Sequence, residues 1–378
     1  MEKLSEDVLN NIFIRLPAKQ LVQMRRVCKP WNAFLSESYF IKSHLNHSIR
    51  NKHNNEIVLA FNAAIRYRKH ALPCTVYDLS QSPDIKLNDL VKLPHNFPQS
   101  ALHEYGGHVI GSVNGLICFY IGRYYDVKGI YIWNPSLSAV KLLPPISEPL
   151  IQYDYKNNGL RSRYIFSFGF GFDPMTDDYK VLKITHDRDK SVWLQVEVYS
   201  IKKDSWEFII VDDSFPEDVV GIFVDDHDGH LYALSYFKKN HIQKIVVFDL
   251  GVESFRQMSL PDSVVANCNI LGMLDGKLCL VSYTQHDGKL EVWVIMNEYG
   301  VARDSWVKSH VLSNSISKAC GDIIPFGFTS NNKFFFYAYS RGLLGVYDQE
   351  TYKVTYFGSF TSGLDEVVQY VDSLVWYS

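Results

Sequence analysis

The sequence has no CxxC pair, no excess of charge of either sign, and no uninterrupted apolar run approaching the roughly 18 residues that span a bilayer. Its six cysteines, Cys28, Cys74, Cys118, Cys268, Cys279 and Cys320, are scattered, several within apolar strand-like runs. That predicts reduced, buried thiols in a cytosolic or nuclear protein. The sequon Asn46-His47-Ser48 is then a chance match. The first twenty residues contain Glu2, Glu6 and Asp7 and lack an apolar core with a small-residue cleavage site, which argues against a signal peptide. A formal net charge of −3 over 378 residues excludes polyelectrolyte behaviour toward nucleic acid or an anionic membrane.

Catalytic signatures are missing as well. There is no G-x-S-x-G elbow, no HExxH and no P-loop. "FGFGFD" (168–173) contains G-x-G but lacks a third glycine and a following helix, so it reads as strand. "VDDHDGHLY" (224–232) sets His227 and His230 among aspartates, yet the spacing matches no compact zinc or calcium motif; a turn closed by Asp228-Gly229 explains it. "RYRKH" (66–70) is basic and aromatic, but no RNA-binding signature accompanies it. No cofactor, metal, nucleic acid or membrane is expected.

What is present is a large apolar share, 47%, and an aromatic share of 14%, enough to build a sizeable core in one or two domains. From Glu6 the apolar positions Val8, Leu9, Ile12, Phe13 and Leu16 recur at spacings of three and four, with Ser5 as N-cap. This predicts a helix that Pro17 ends. Pro17 opens a second, with Leu21, Met24 and Val27 on one stripe; Pro30 opens a third with Trp31, Phe34 and Leu35; Tyr39–Leu45 adds a last turn or two. So small a bundle leaves apolar surface uncovered, and a helical partner is its natural cover.

The stretch "LSEDVLNNIFIRLPAKQLVQMRRVCKPWNAFLSESYFIKSHL" (4–45) resembles the F-box, with Ser5 in place of the usual proline and Pro30 where a small or polar residue is commoner. The resemblance implies docking on a SKP-type adaptor, and through it on cullin and RING subunits. It implies that Leu4, Leu9, Ile12, Leu16, Pro17, Leu21, Val27, Cys28 and Trp31 form or support the docking surface.

Beyond Ser48 the periodicity changes from helical to alternating. A recurring pair appears: an apolar strand, then a strand with a V-aromatic-D/N/S signature and a polar turn. Its first members are "EIVLAFN", "NGLICFY", "DYKVLKI", "GHLYALSY", "GKLCLVSY" and "NKFFFYAY"; the partners are "TVYDLS", "IYIWNPS", "VEVYSIK", "VVFDLGV", "EVWVIMN" and "LGVYDQE". With further short strands flanking several pairs, units of about fifty residues predict an all-β propeller of about six four-stranded blades after an all-α F-box bundle. "EVVQYVDSLVWY" (366–377) is expected to complete the first blade and close the ring. The domain division is 1–48 and 49–378.

The segments "GSVNGLICF", "IWNPSLSAVKLLPP", "FGFGFDPMTDDYKVLKI", "VEVYSIKKDSW", "LGMLDGKLCLV" and "EVWVIMNEYGVARDSW" resemble the F-box-associated, kelch-like domain of plant F-box proteins. "IYIWNPS" and "YVDSLV" are similar to S-locus F-box proteins, and "IFIRLPAKQLV" equally to F-box receptors that restrain immunity. The family's implied role is non-catalytic substrate recognition in an SCF-type ubiquitin ligase. Two other classes stay open at this point: a glycan-binding or enzymatic propeller, and a non-degradative F-box scaffold.

In a propeller the loops joining second to third strands share one face. Those segments hold twelve cations against four acids, with tyrosines among them. Arg66, Tyr67, Arg68, Arg123, Tyr124, Tyr125, Arg188, Lys238, Lys239 and Arg341 are the candidate contacts for an unknown protein substrate with an acidic surface. The opposite turns hold sixteen acids against three cations, which the turn preference of aspartate accounts for.

Overall fold

The computed structural model describes residues 5–50, 57–61, 74–78, 96–147, 164–187, 192–211, 218–225, 228–237, 242–264, 269–284, 289–296, 305–312, 323–329, 332–338, 341–357 and 366–376. Four helices come first: α1 (Glu6–Phe13), α2 (Ala18–Met24), α3 (Lys29–Leu35) and α4 (Ser38–Arg50). Ser5 caps α1, its hydroxyl accepting from the Val8 amide at 3.4 Å, as its short polar side chain at that position predicts. Pro17 immediately precedes α2, and Pro30 lies in the first turn of α3. α4 runs for thirteen residues rather than a turn or two, because Phe40, His44 and Leu45 bury one stripe of it.

The strands follow. β1 (Ile57–Phe61) and β2 (Cys74–Asp78) precede a short helix, α5 (Gln99–Tyr105), which the sequence reading did not contain. Then come β3 (Gly107–Val113), β4 (Leu116–Arg123), β5 (Asp126–Asn134) and β6 (Ala139–Leu142). The next four are β7 (Tyr164–Asp173), β8 (Asp178–Asp187), β9 (Val192–Ser200) and β10 (Ser205–Ile209). They are followed by β11 (Asp218–Asp225), β12 (His230–Phe237), β13 (Ile242–Asp249) and β14 (Ser254–Ser259). β15 (Asn269–Leu274), β16 (Lys277–Thr284), β17 (Lys289–Met296) and β18 (Ser305–Leu312) form the next group, and β19 (Ile323–Phe328), β20 (Phe334–Ala338), β21 (Leu343–Asp348) and β22 (Lys353–Phe357) the last. β23 (Glu366–Tyr370) ends the series.

Each group of four is an antiparallel meander, giving five four-stranded blades rather than about six. The remaining sheet, β2-β1-β23, has three strands among the described residues. The overcount has a simple source: in five sheets the repeated pair is the two middle strands, but no outer strand follows β2 within the described residues. The expected closure is present, with β23 pairing antiparallel to β1 from Ile57↔Tyr370 to Phe61↔Glu366.

The first strands of neighbouring sheets, together with β23, lie side by side around the centre. The Gln369 side chain on β23 donates to the Phe328 carbonyl at the end of β19 and completes the circuit. Six apolar clusters fill the wedges between adjacent sheets, for example Leu182, Ile184, Val198, Leu231 and Phe248 between the β7–β10 and β11–β14 blades. Covering both faces of every sheet in this way supplies the hydrophobic free energy of the fold, and radial closure leaves only short edges.

A cross-strand ion pair lies fully buried between β8 and β9. Lys183 on β8 stands opposite Glu197 on β9, and both side chains are fully buried and ion-paired. The Lys183 ammonium also donates to the Ser147 carbonyl at 2.8 Å and lies 5.1 Å from the Phe166 ring centre. Burial pushes its pKa down, and Glu197 opposes that shift. Lys183→Met alone strands a buried carboxylate and is expected to cost about 3–5 kcal/mol. Lys183→Met with Glu197→Leu is expected to be neutral or stabilising by about 1–4 kcal/mol. Urea unfolding of the two variants checks the contrast.

Candidate functional site

Adaptor binding was assigned to the helical bundle, and the structure divides its apolar residues into two groups. Phe13, Ala18, Leu21, Leu35 and Phe40 form a buried cluster, within which Trp31 meets Phe13 edge-on at a centroid distance of 5.0 Å. Leu9, Leu16 and Trp31 are partly covered against that cluster. Val8, Ile12 and Val27 keep 43%, 45% and 65% of their surface exposed, and Pro17 and Cys28 are exposed as well. Leu21 is fully buried inside the cluster, and Leu4 lies outside the described residues. The Val8, Ile12 and Val27 side chains are left uncovered by the rest of the described chain.

The propeller also covers part of the bundle. Leu374, four residues past β23, sits inside the bundle's cluster at 1% exposure, and Leu137 from the β5–β6 turn packs beside it. The Asp372 carboxylate accepts the Ala18 amide at 2.6 Å. Lys42 on α4 pairs with Asp177, in the β7–β8 turn, at 3.0 Å. The expectation that only a foreign helix covers the apolar stripe is thus corrected: the inner stripe is covered by the same chain, the outer one is not.

These contacts place the bundle on a definite face. The segment after β23 meets the β3–β4 and β5–β6 turns: a side chain on Gly115 would collide with Ser373, and Asn134 donates to the Ser373 and Val375 carbonyls at 3.1 and 2.8 Å. Around the ring, Pro174 touches the Gly229 turn, and Asp275 and Asn332 bond across two further turns. Among the described residues, the turns joined by these contacts share the end that carries the bundle. Since β4 runs away from that end, the β4–β5 turn lies at the other.

The bundle-bearing face owes its acidity to turn geometry. Asp177, Asp204, Glu253 and Asp275 adopt left-handed backbone angles, φ between 52 and 55°, which Asp and Asn tolerate better than most residues. Asp249 and Asp348 accept backbone amides two and three residues on. Asp173 does the same for Met175 and also pairs with the buried Lys180 at 3.3 Å. Its burial raises its pKa, but the bonds from Thr176, Met175 and Lys180 outweigh this and hold it below the usual carboxylate value.

At the opposite end stand Arg123, the last residue of β4, and Tyr124 and Tyr125 of the β4–β5 turn. The Arg123 guanidinium donates to the Tyr125 hydroxyl and lies 5.8 Å from that ring's centre. Tyr124 meets Tyr125 edge-on at 5.0 Å and is 47% exposed. Lys128 bonds Asp126 at 2.7 Å and lies 5.6 Å from the centre of Tyr105 on α5. Arg341, exposed in the β20–β21 loop, lies 5.2 Å from the centre of Tyr356. Such stacking holds each cation in place while leaving its charge in the water. Arg66, Tyr67, Arg68, Arg188, Lys238 and Lys239 lie outside the described residues. Lys128, Lys244 and Lys289 stand on strands rather than in loops, so the charge tally included some strand positions.

The motifs set aside as non-catalytic have structural places. "FGFGFD" is part of β7. Asp228-Gly229 is a turn, His227 is outside the described residues, and His230 on β12 lies 3.7 Å from Asp249. No cluster of three potential metal ligands occurs among the described residues.

Comparison with known proteins decides the family. The F-box domain model matches residues 1–43, and the model for the F-box associated beta propeller domain matches 64–367. This chain belongs to the plant F-box proteins with an F-box-associated propeller. F-box protein CPR1 of Arabidopsis thaliana is 31% identical over 337 residues, covering 82% of this chain and 72% of that one. An F-box/kelch-repeat protein of the same plant is 25% identical over 80% of this chain and 77% of its own length. Among solved structures, the Dos1 propeller aligns at 12% identity over 76% of this chain and 65% of that one, TM-score 0.36. An oligogalacturonate lyase in complex with manganese aligns at 7% identity over 79% and 77%, TM-score 0.43. Neither likeness carries an argument.

Membership has direct consequences. An F-box implies a SKP-type adaptor in an SCF complex. F-box substrate adaptors are in general non-catalytic, and the pairing of F-box with propeller suggests a substrate-recognition subunit. No helix among the described residues is long and apolar enough to cross a membrane.

Proposed function

We propose that this F-box protein is the non-catalytic substrate receptor of an SCF-type ubiquitin ligase in the cytoplasm, the nucleus or both. The adaptor module is residues 1–48 and the receptor 49–378. The receptor captures a target protein with an acidic surface on the loop face and brings its lysines to the ubiquitin-conjugating machinery, for ubiquitination and proteasomal degradation. One observation supports this above the others. The exposed apolar surface of the bundle and the basic, aromatic loops around Arg123 are at opposite ends of the propeller, so adaptor and target can be held together without competing for space.

The mechanism is effective concentration: tethering makes an encounter between target lysine and conjugating enzyme intramolecular. No bond chemistry is asked of this chain. The test is affinity purification with the full chain and with a form lacking residues 1–45, followed by target half-life in cells with and without the chain. A target captured by both forms, and longer-lived when the chain is absent, supports the reading. An unchanged half-life removes the degradative role.

A further inference from the structure

We propose that residues 371–376 are a fastener that holds the F-box helices at one fixed angle on the propeller, with Asp372 and Leu374 as its positioning residues. The proposal goes beyond the receptor reading, and its test needs no target protein.

A linker between two domains tethers them; this segment does more, because it supplies parts of the bundle itself. α2 has seven residues, begins after Pro17 and has no cap from its own side chains. The missing cap comes from Asp372, whose Oδ2 accepts the Ala18 amide at 2.6 Å from 354 residues away in sequence. A carboxylate at that point also meets the positive end of the helix. Its other oxygen accepts the Ser136 hydroxyl, and the Ser136 amide donates to the buried Tyr370 hydroxyl at 3.1 Å.

The second part is apolar. Leu374 completes the cluster of Phe13, Leu21, Leu35 and Phe40, and Val375 and Trp376 continue the cover against Leu45 and Ile41. The segment is gripped from the propeller side by Asn134, which donates to two of its carbonyls and accepts the Leu137 amide at 3.1 Å. Gly115, at φ +81°, leaves room for the segment to cross the β3–β4 turn. The "WNPSL" run of the second repeat is therefore the seat of the fastener as well as a strand end.

Two consequences follow. The distance and direction from the adaptor-binding surface to the loop face are set by one packed joint. The bundle's core is also complete only in a chain whose β23 has already closed the ring.

The experiment uses the full chain bound to a purified SKP-type adaptor, compared with Asp372→Ala, Asp372→Asn and Leu374→Ala. Hydrogen exchange is read at the first turn of α2, and small-angle scattering reads the shape of the complex. Asp372→Ala is expected to speed exchange of the Ala18 amide about tenfold, as loss of one cap does to a local opening equilibrium. Exchange in the blades stays unchanged, and the longest distances in the scattering profile broaden. Asp372→Asn keeps an acceptor oxygen and returns most of the protection. Leu374→Ala extends the faster exchange through α1–α3. Unchanged exchange in a folded Asp372→Ala chain overturns the proposal, and so does faster exchange with an unaltered scattering profile. Should Leu374→Ala not fold, the Asp372 variants, at a partly buried surface position, decide alone.

Discussion

Aspartate at both Ile12 and Val27 is expected to weaken binding to a SKP-type adaptor by about a thousandfold while leaving the melting temperature of the propeller in place. Both side chains are largely in solvent, 45% and 65% exposed, on the outer stripe of the bundle, so their substitution removes little from the fold. Each buried apolar side chain contributes about 1.5–3 kcal/mol at a contact. Losing two amounts to about 4 kcal/mol, and each ten-fold step in affinity is about 1.4 kcal/mol. An unpaired carboxylate forced into that contact adds to the loss.

Leu21→Ala is the control that separates surface from support. Leu21 is fully buried, so the change is expected to cost about 2–5 kcal/mol of stability and to lower melting and adaptor binding together. Calorimetric titration with the adaptor, beside thermal melts, measures both. Unweakened binding by the Ile12/Val27 double variant would falsify the assignment of the docking surface.

Reversing Arg66, Arg68, Arg123 and Lys238 to glutamate is expected to abolish target capture without affecting the adaptor. The geometry behind this is clearest at Arg123, whose guanidinium is held against Tyr125 and so keeps its charge directed outward from the loop face. Charge complementarity acts chiefly on the encounter rate, by about a hundredfold at low salt for a strongly steered pair. Capture by the unaltered chain should accordingly fall as salt is raised. The readout is co-purification of target and adaptor with each form. Capture that survives reversal, at low and high salt alike, would remove the loop face from consideration.

Much of this molecule was legible before any coordinate. Ser5, Pro17 and Pro30 mark helix starts because a cap or a fixed φ acts on the residues next to it. The six strand pairs were legible for a similar reason: alternation along a strand records which side of it is covered. The blade count was misread because every pair was counted as a four-stranded blade, whereas the sheet of β1 and β2 has three strands among the described residues. α5 was missed because seven residues carry barely two turns of periodicity.

The candidate site was legible only as a set of residue types. Ile12, Val27 and Leu21 read alike on the helical stripe, yet two are exposed and one is fully buried. Nothing local distinguishes them, since the difference lies in Leu374, Leu137 and the rest of the chain that packs on one side of the bundle. In the same way Arg123 announced a basic loop, but not that it lies across the propeller from the helices.

The residue order by itself determined the local elements: where helices begin, which segments are paired strands, and that the last strand pairs with the first. Those are set by backbone preference and by periodicities of two and 3.6, which act over a few residues. Only the tertiary structure decided which apolar side chains are left exposed and which face the helices occupy. Both depend on contacts such as Ala18 with Asp372, between residues 354 positions apart, and a contact at that separation leaves no periodic trace in either segment.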